Sequence, residues 1–161
     1  QYARLKAMRI LIAPDKFKCT LTAREAAEAI ARGWRQARPQ DTIELLPISD
    51  GGDGFGEVLG ELLAATPRSI KTVDAAHRSC AAAWWWSAKT GTAVIESARV
   101  IGLAMLPKAG FHPFELDTFG LGAVLQAAQR VKAQAIIIGI GGSATNDAGF
   151  GLARALGWRL Q

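Results

Sequence analysis

The apolar run Ala135-Ile136-Ile137-Ile138 leads directly into Gly139-Ile140-Gly141-Gly142-Ser143-Ala144-Thr145-Asn146-Asp147-Ala148-Gly149, and a helical pattern follows over residues 148–156. A short, continuously apolar run reads as a buried strand, expected at the centre of a sheet. A strand that feeds a glycine-rich loop and then a helix makes a good anion site. Glycines let the backbone approach the ligand, amide N–H groups converge, and the helix N-terminus adds partial positive charge. Ser143, Thr145, Asn146 and Asp147 add hydroxyl, amide and carboxylate groups suited to phosphate, metal or a substrate hydroxyl. Glycine in a βα turn also has a purely structural use. The loop lacks the Gly-Lys-Ser/Thr of a Walker A sequence and the G-x-G-x-x-G of a dinucleotide fingerprint.

The rest of the chain alternates in a way that suits such a strand. Residues 8–13 are an apolar run stopped by Pro14, and residues 42–47 read as a second strand. Between them, Thr22-Ala23-Arg24-Glu25 is a capping-box pattern. Ala23, Ala27, Ile30, Trp34 and Ala37 then recur at helical spacing until Pro39. Residues 55–65 give a second helix, so the start reads strand, helix, strand, helix, the pattern of a parallel sheet with crossovers. The middle departs from this: 70–73, 81–87 and 92–96 look like strands, the last two joined as a hairpin through 89–91. Trp84-Trp85-Trp86 must place indoles on both faces of its strand, where packing is the expected use. The turn Asp117-Thr118-Phe119-Gly120 opens a helix running to about residue 132. The expected fold is α/β and three-layer, with a mainly parallel, Rossmann-like sheet and an inserted antiparallel hairpin region over 70–96.

Composition narrows the partners. Half of the 161 residues are hydrophobic and a fifth are charged, the balance of a globular domain. No apolar stretch approaches the ~20 residues that span a bilayer, so no membrane partner is expected. Lys plus Arg (19) exceed Asp plus Glu (14), giving +5. That charge suits an anionic partner or a solvated surface, and it is scattered rather than gathered into a nucleic-acid patch. Cys19, Cys80, His77 and His112 are isolated and form no zinc-ligand spacing. A reduced cytoplasmic protein is the simplest reading, with homo-oligomerisation left open. Residues 1–7 read as a disordered extension ahead of a start at Met8, and residues 8–161 as the folded part.

Two further loops carry polar groups: Ala13-Pro14-Asp15-Lys16-Phe17-Lys18 after the first strand, and Ser49-Asp50-Gly51-Gly52-Asp53-Gly54 after the second. In a parallel sheet the carboxyl ends of strands share one edge, where ligands bind, so these loops and 139–149 are expected to converge. Together they supply lysines, carboxylates and an amide cradle, the parts needed for phosphoryl transfer from a nucleotide. Lys16 and Lys18 suit phosphate oxygens, with Lys18 a catalytic candidate. Gly141, Gly142, Ser143, Thr145 and Asn146 suit phosphate or a substrate carboxylate. Asp50 and Asp53 suit a metal ion. Asp50 is the first choice for a base, and sequence leaves Asp15, Asp50 and Asp147 open for that role. Arg99 is the nearest candidate for a bidentate carboxylate clamp, with a salt bridge as its alternative use.

In the order and wording of these elements the chain resembles the class I glycerate kinases. It has APD-x-FK at 13–18, DGG-[DE]-G at 50–54, and an E-x-A-x-x-x-GL element at Glu96, Ala98, Gly102 and Leu103. A T-x-G-x-G turn stands at Thr118, Gly120 and Gly122, and GIGGSATND-x-G at 139–149. The resemblance implies transfer of the γ-phosphoryl group of ATP to a hydroxyl of D-glycerate with Mg2+, the 2-hydroxyl favoured. Lys16 stands where serine is frequent, Cys19 where glycine is, and Phe55 where threonine often follows. Family members are longer, which makes this chain an amino-terminal portion that lacks the carboxy-terminal part and is inactive alone. The alternative is a non-catalytic nucleotide- or anion-binding module. A Rossmann-like oxidoreductase is disfavoured by the missing fingerprint.

Overall fold

The computed structural model describes residues 6–18, 20–108 and 110–159, and the chain falls into two compact units, Gln1–Ser49 and Asp50–Gln161. Most of the extension expected to be disordered, and Cys19, lie outside the described residues. In the first unit, strands β1 (Arg9–Ile12) and β2 (Thr42–Leu45) pair in parallel, with helix α1 (Ala23–Ala37) as the crossover. Its capping box forms: Glu25 N–H donates to Thr22 Oγ1 at 3.2 Å, and Thr22 N–H donates to Glu25 Oε2 at 2.8 Å. The face that packs is an alanine row, Ala23, Ala26, Ala27 and Ala31, whereas Ile30 is exposed. The expected stripe through Ile30 and Ala37 is thus rotated, because small side chains bring the helix closest to Ile10, Ile12, Ile43 and Leu45. Trp34 is half-buried, and its indole N–H donates to Asp41 Oδ2 at 2.9 Å. Arg38 binds the same carboxylate at 2.6 Å, and that hydrogen bond is the main cause holding Asp41 far below the usual carboxylate range.

The second unit is built on a four-stranded sheet in the order β3 (Thr66–Val73), β4 (Ser79–Ser87), β5 (Thr92–Glu96), β6 (Ala135–Gly139). The β3–β4 and β4–β5 pairings are antiparallel, and only β5–β6 is parallel. This corrects the expected mainly parallel sheet, and β6 lies at an edge among the described residues rather than at the centre. The reason is connection length. Five residues join β3 to β4 and four join β4 to β5, so the chain must reverse. Only the β5–β6 connection, which holds α3 (Ala98–Ile101) and α4 (Leu121–Arg130), is long enough to cross over. Helix α2 (Phe55–Leu62) precedes the sheet and α5 (Phe150–Ala155) follows it.

Alternation along β4 and β5 sorts the core into two faces. Trp84, Ala93 and Ile95 pack with Val100, Leu121 and Val124, while Trp85 and Val94 pack with Phe55 and Leu59 of α2. The tryptophan run is therefore core on both faces, as its spacing predicts. Trp85 is seated by two glycines of α2: a Cβ on Gly56 would lie 1.8 Å from the indole, and one on Gly60 would lie 2.6 Å from it. Helix propensity alone favours alanine over glycine by ~1 kcal/mol. Overpacking opposes it, so Gly60→Ala is expected to lower unfolding stability by about 1–3 kcal/mol. Urea denaturation checks this, and a stabilised Gly60→Ala variant would refute the seat.

Candidate active site

Four stretches of the second unit meet at the carboxyl ends of β5 and β6. Ser97 N–H donates to Gly139 O at 2.9 Å, extending the β5–β6 pairing by one residue. Gly141 N–H donates to Gly51 O at 2.9 Å, joining the 50–54 loop to the 139–149 loop backbone to backbone. A Cβ on Gly141 would lie 2.7 Å from Gly52, so only glycine allows this approach. On the other side, Leu103 N–H donates to Gly142 O at 3.0 Å and Ala144 N–H to Ile101 O at 2.8 Å. Glu96 and Ser97 lie between these contacts. Ser143 Oγ donates to Ile140 O at 3.1 Å, leaving Ser97 Oγ to donate to Ser143 at 3.0 Å.

The fourth stretch is the entry to α4, and Asp147 holds it. Its Oδ2 accepts from Thr118 N–H at 3.0 Å, Thr118 Oγ1 at 2.8 Å and Gly151 N–H at 2.8 Å, and its Oδ1 accepts from Gly149 N–H at 3.3 Å. Thr118 Oγ1 in turn accepts from Leu152 N–H at 2.9 Å. The anion at the start of α5 is thus the chain's own carboxylate. Burial pushes the Asp147 pKa up, but the Thr118, Gly151 and Gly149 hydrogen bonds together outweigh it and hold the carboxyl below its ordinary value. The next residue, Ala148, has φ +51, a left-handed conformation that costs a side-chain-bearing residue about 1–2 kcal/mol. Asp147, flanking it with bonds to both sides, holds that strain in place.

Around these joints lies a cleft of ≈ 510 Å³ lined by the apolar Ile101, Leu121, Ile138 and Leu152 and by the polar Ser143, Thr145 and Asn146, with the buried Ser97 behind Ser143. Thr145 and Asn146 have no side-chain hydrogen-bond partner among the described residues, so their polar groups are open to a ligand. The Gly141 amide is not, being spent on Gly51, which corrects its place in the expected anion cradle. Gly142, with φ +75, turns beside Asp53, whose Oδ1 would lie 3.5 Å from a Cβ placed there. Asp50 is exposed at the start of its loop, and its Oδ1 accepts from Gly52 N–H at 2.9 Å. Among the described residues no three acidic, histidine or cysteine side chains form a metal cluster. The 50–54 loop carries two carboxylates, oxygen donors of the type that Mg2+ takes. Lys16 and Lys18 belong to the first unit, on the loop after β1.

Of the two uses expected for Arg99, the structure shows the salt bridge. It pairs with Glu57, approaches Glu96 Oε1 at 3.3 Å through Nε, and lies 5.4 Å over the Trp85 ring. Ser97 and Thr118 are buried residues of these joints that the sequence reading did not select as site residues. The signal was there in the motif elements that contain or precede them.

Asp147→Asn is expected to cost about 2–3 kcal/mol, the range for hydrogen bonds to a charged group. The native carboxylate, with its lowered pKa, contributes stability in full above the unfolded value near ~3.9 and loses it as pH falls through the folded value. Unfolding measured from pH 7 downward should show that acid loss in the wild type and a flatter slope in the variant. Equal slopes would refute the carboxylate joint.

Comparison with known proteins gives the family and a similar fold. The family model described as "Glycerate kinase family" matches residues 10–161. The chain is 42% identical over 155 residues to "Glycerate kinase" of Bacillus subtilis (strain 168), covering 95% of this chain and 40% of that protein. It is 37% identical over 153 residues to "Glycerate 2-kinase" of Escherichia coli (strain K12), with 95% and 40% covered. Its fold matches a crystal structure from Salmonella typhimurium LT2 assigned as glycerate kinase 2, with TM-score 0.81 and 38% identity over 94% of this chain and 41% of that one. The chain therefore spans about two fifths of the length of these relatives. No helix among the described residues is long and apolar enough to cross a membrane. With a family match over nearly its whole length, and the family's motif elements in the second unit gathered at one cleft, the chain belongs to the glycerate kinase family.

Proposed function

We propose that the protein to which this chain belongs is an ATP-dependent kinase acting on D-glycerate at its 2-hydroxyl, and that these 161 residues are inactive alone. The observation that carries the reading is the family match over residues 10–161. The name of the Escherichia coli relative, glycerate 2-kinase, supports the 2-hydroxyl. In the reaction the hydroxyl oxygen forms a bond to the γ-phosphorus as the bond to the β–γ bridging oxygen breaks, and the hydroxyl proton passes to a base. Asp50 is the proposed base, because it is exposed at the start of its loop whereas Asp147 is held by four hydrogen bonds. Asp50 and Asp53 would hold Mg2+, which when bound neutralises phosphate oxygens. Thr145, Asn146 and the Ser97–Ser143 hydroxyl pair would orient the hydroxy acid or a phosphate oxygen. Lys16 and Lys18 carry the positive charge that phosphate oxygens call for. A cytoplasmic location belongs to the same proposal.

ADP release coupled to glycerate addition, run on the full-length protein and on residues 1–161, tests the reading. Activity is expected in the first only, with phosphorus NMR giving 2-phosphoglycerate. Asp50→Asn should lower kcat by about 10²–10⁴-fold, the usual worth of a general base, with a small change in KM. Nucleotide binding without turnover in the full-length protein would favour the binding module instead. A 3-phosphoglycerate signal would overturn the regiochemistry alone.

A further inference from the structure

Glu96 is the last residue of β5 and is 2% exposed, among the most deeply buried side chains described. A buried carboxylate costs several kcal/mol of desolvation, so its partners show what it is for. Its Oε2 accepts from Gly56 N–H at 2.9 Å, 40 residues away in sequence and in the first turn of α2. The N-cap of that helix is Gly54, which has no side chain to cap it. Glu96 thus supplies from the strand the acceptor that the glycine N-cap lacks. Its Oε1 faces Arg99 Nε at 3.3 Å. The next residue, Ser97, reaches the other loop, through its amide to Gly139 and its hydroxyl to Ser143.

We propose that Glu96 is a positioning residue whose buried carboxylate locks the loop carrying Asp50 and Asp53 onto the strand end that carries Ser97 and the 139–142 turn. This rests on the kinase reading only in what is positioned. The lock itself is geometric. Glu96, at the end of β5, reaches the first turn of α2, and Ser97, the next residue, reaches Gly139 and Ser143, so the end of β5 sets the start of α2 against the 139–149 loop. The backbone contact of Gly141 with Gly51 fixes their separation. The Glu96–Gly56 bond fixes the direction in which α2 leaves, and with it the aim of the Asp50 and Asp53 carboxylates. A filler serving stability alone would need no charge at this place, since apolar replacements of buried ion pairs are often neutral or stabilising.

The test compares Glu96→Ala and Glu96→Gln in the full-length protein, with Glu57→Gln as a control that removes the exposed partner of Arg99 and the first-turn charge of α2 but leaves the Glu96–Gly56 bond. Glutamine keeps a carbonyl oxygen for Gly56 N–H, and alanine does not. Glu96→Ala is expected to lower kcat about 100-fold, the scale of a misplacement of ~1 Å, while KM for glycerate moves less than about threefold. Glu96→Gln should recover kcat to within about tenfold of wild type, and Glu57→Gln should leave it unchanged. Amide exchange at Gly56 should speed up in the alanine variant and stay near wild type in the glutamine variant. If Glu96→Ala fails to fold, the glutamine variant carries the test: kcat reduced at unchanged secondary structure supports the lock. A loss of kcat that merely follows the folded fraction, unchanged kcat in both variants, or unchanged Gly56 exchange in the alanine variant would overturn it. If the wild type fails to phosphorylate glycerate, the kinase reading falls, and Gly56 exchange alone decides the role of Glu96.

Discussion

The second unit is organised around one backbone contact, the Gly141 N–H bonded to the Gly51 carbonyl. It joins two loops that lie 90 residues apart in the chain, and it exists only because neither side chain nor Cβ stands between them. Other features follow from it. The 139–149 turn leaves β6 along Gly51 and Gly52, then bridges to Gly102 through Ser143. From there it reaches Asp147, whose carboxylate gathers the starts of α4 and α5. The Thr145 hydroxyl and the Asn146 carboxamide stand outside that framework, with no side-chain hydrogen bond among the described residues.

The sheet makes that contact repeatable. Trp85 packs into the glycine face of α2 on one side, and Trp84 packs with α4 on the other, so both helices are fixed to the same two strands. Aromatic side chains supply large buried area with few rotamers, which suits them to set distances between layers. Chemistry at the rim then depends on polar groups held by a rigid apolar base, the general arrangement for a preorganised site.

Features encoded locally were legible in the sequence. The Thr22–Glu25 capping box, the hairpin between β4 and β5, and the strand leading into the glycine loop all fold as their spacing predicts. Features that depend on what lies opposite were not. Ile136 and Ile137 read as the centre of a sheet, yet β6 stands at its edge here, because strand order is decided by non-local pairing. The glycines read as a ligand cradle, but whether a glycine admits a ligand or a neighbouring loop depends on the facing backbone, and Gly141 faces Gly52. The four hydrogen bonds that Asp147 accepts come from residues 118, 149 and 151, which no local pattern around Asp147 announces. Glu96 is legible as the head of a motif element, and an acid closing the apolar strand Thr92–Glu96 is costly unless something needs it there, but its partner Gly56 is not visible in the sequence.

Amide hydrogen exchange at Gly141, followed by NMR in the full-length protein with and without ATP and Mg2+, tests the central claim most directly. If the two loops are joined backbone to backbone, this amide is protected in the free protein, and nucleotide leaves its protection little changed. An amide that exchanges freely alone and becomes protected only when nucleotide binds would place Gly141 in a phosphate cradle and contradict the account.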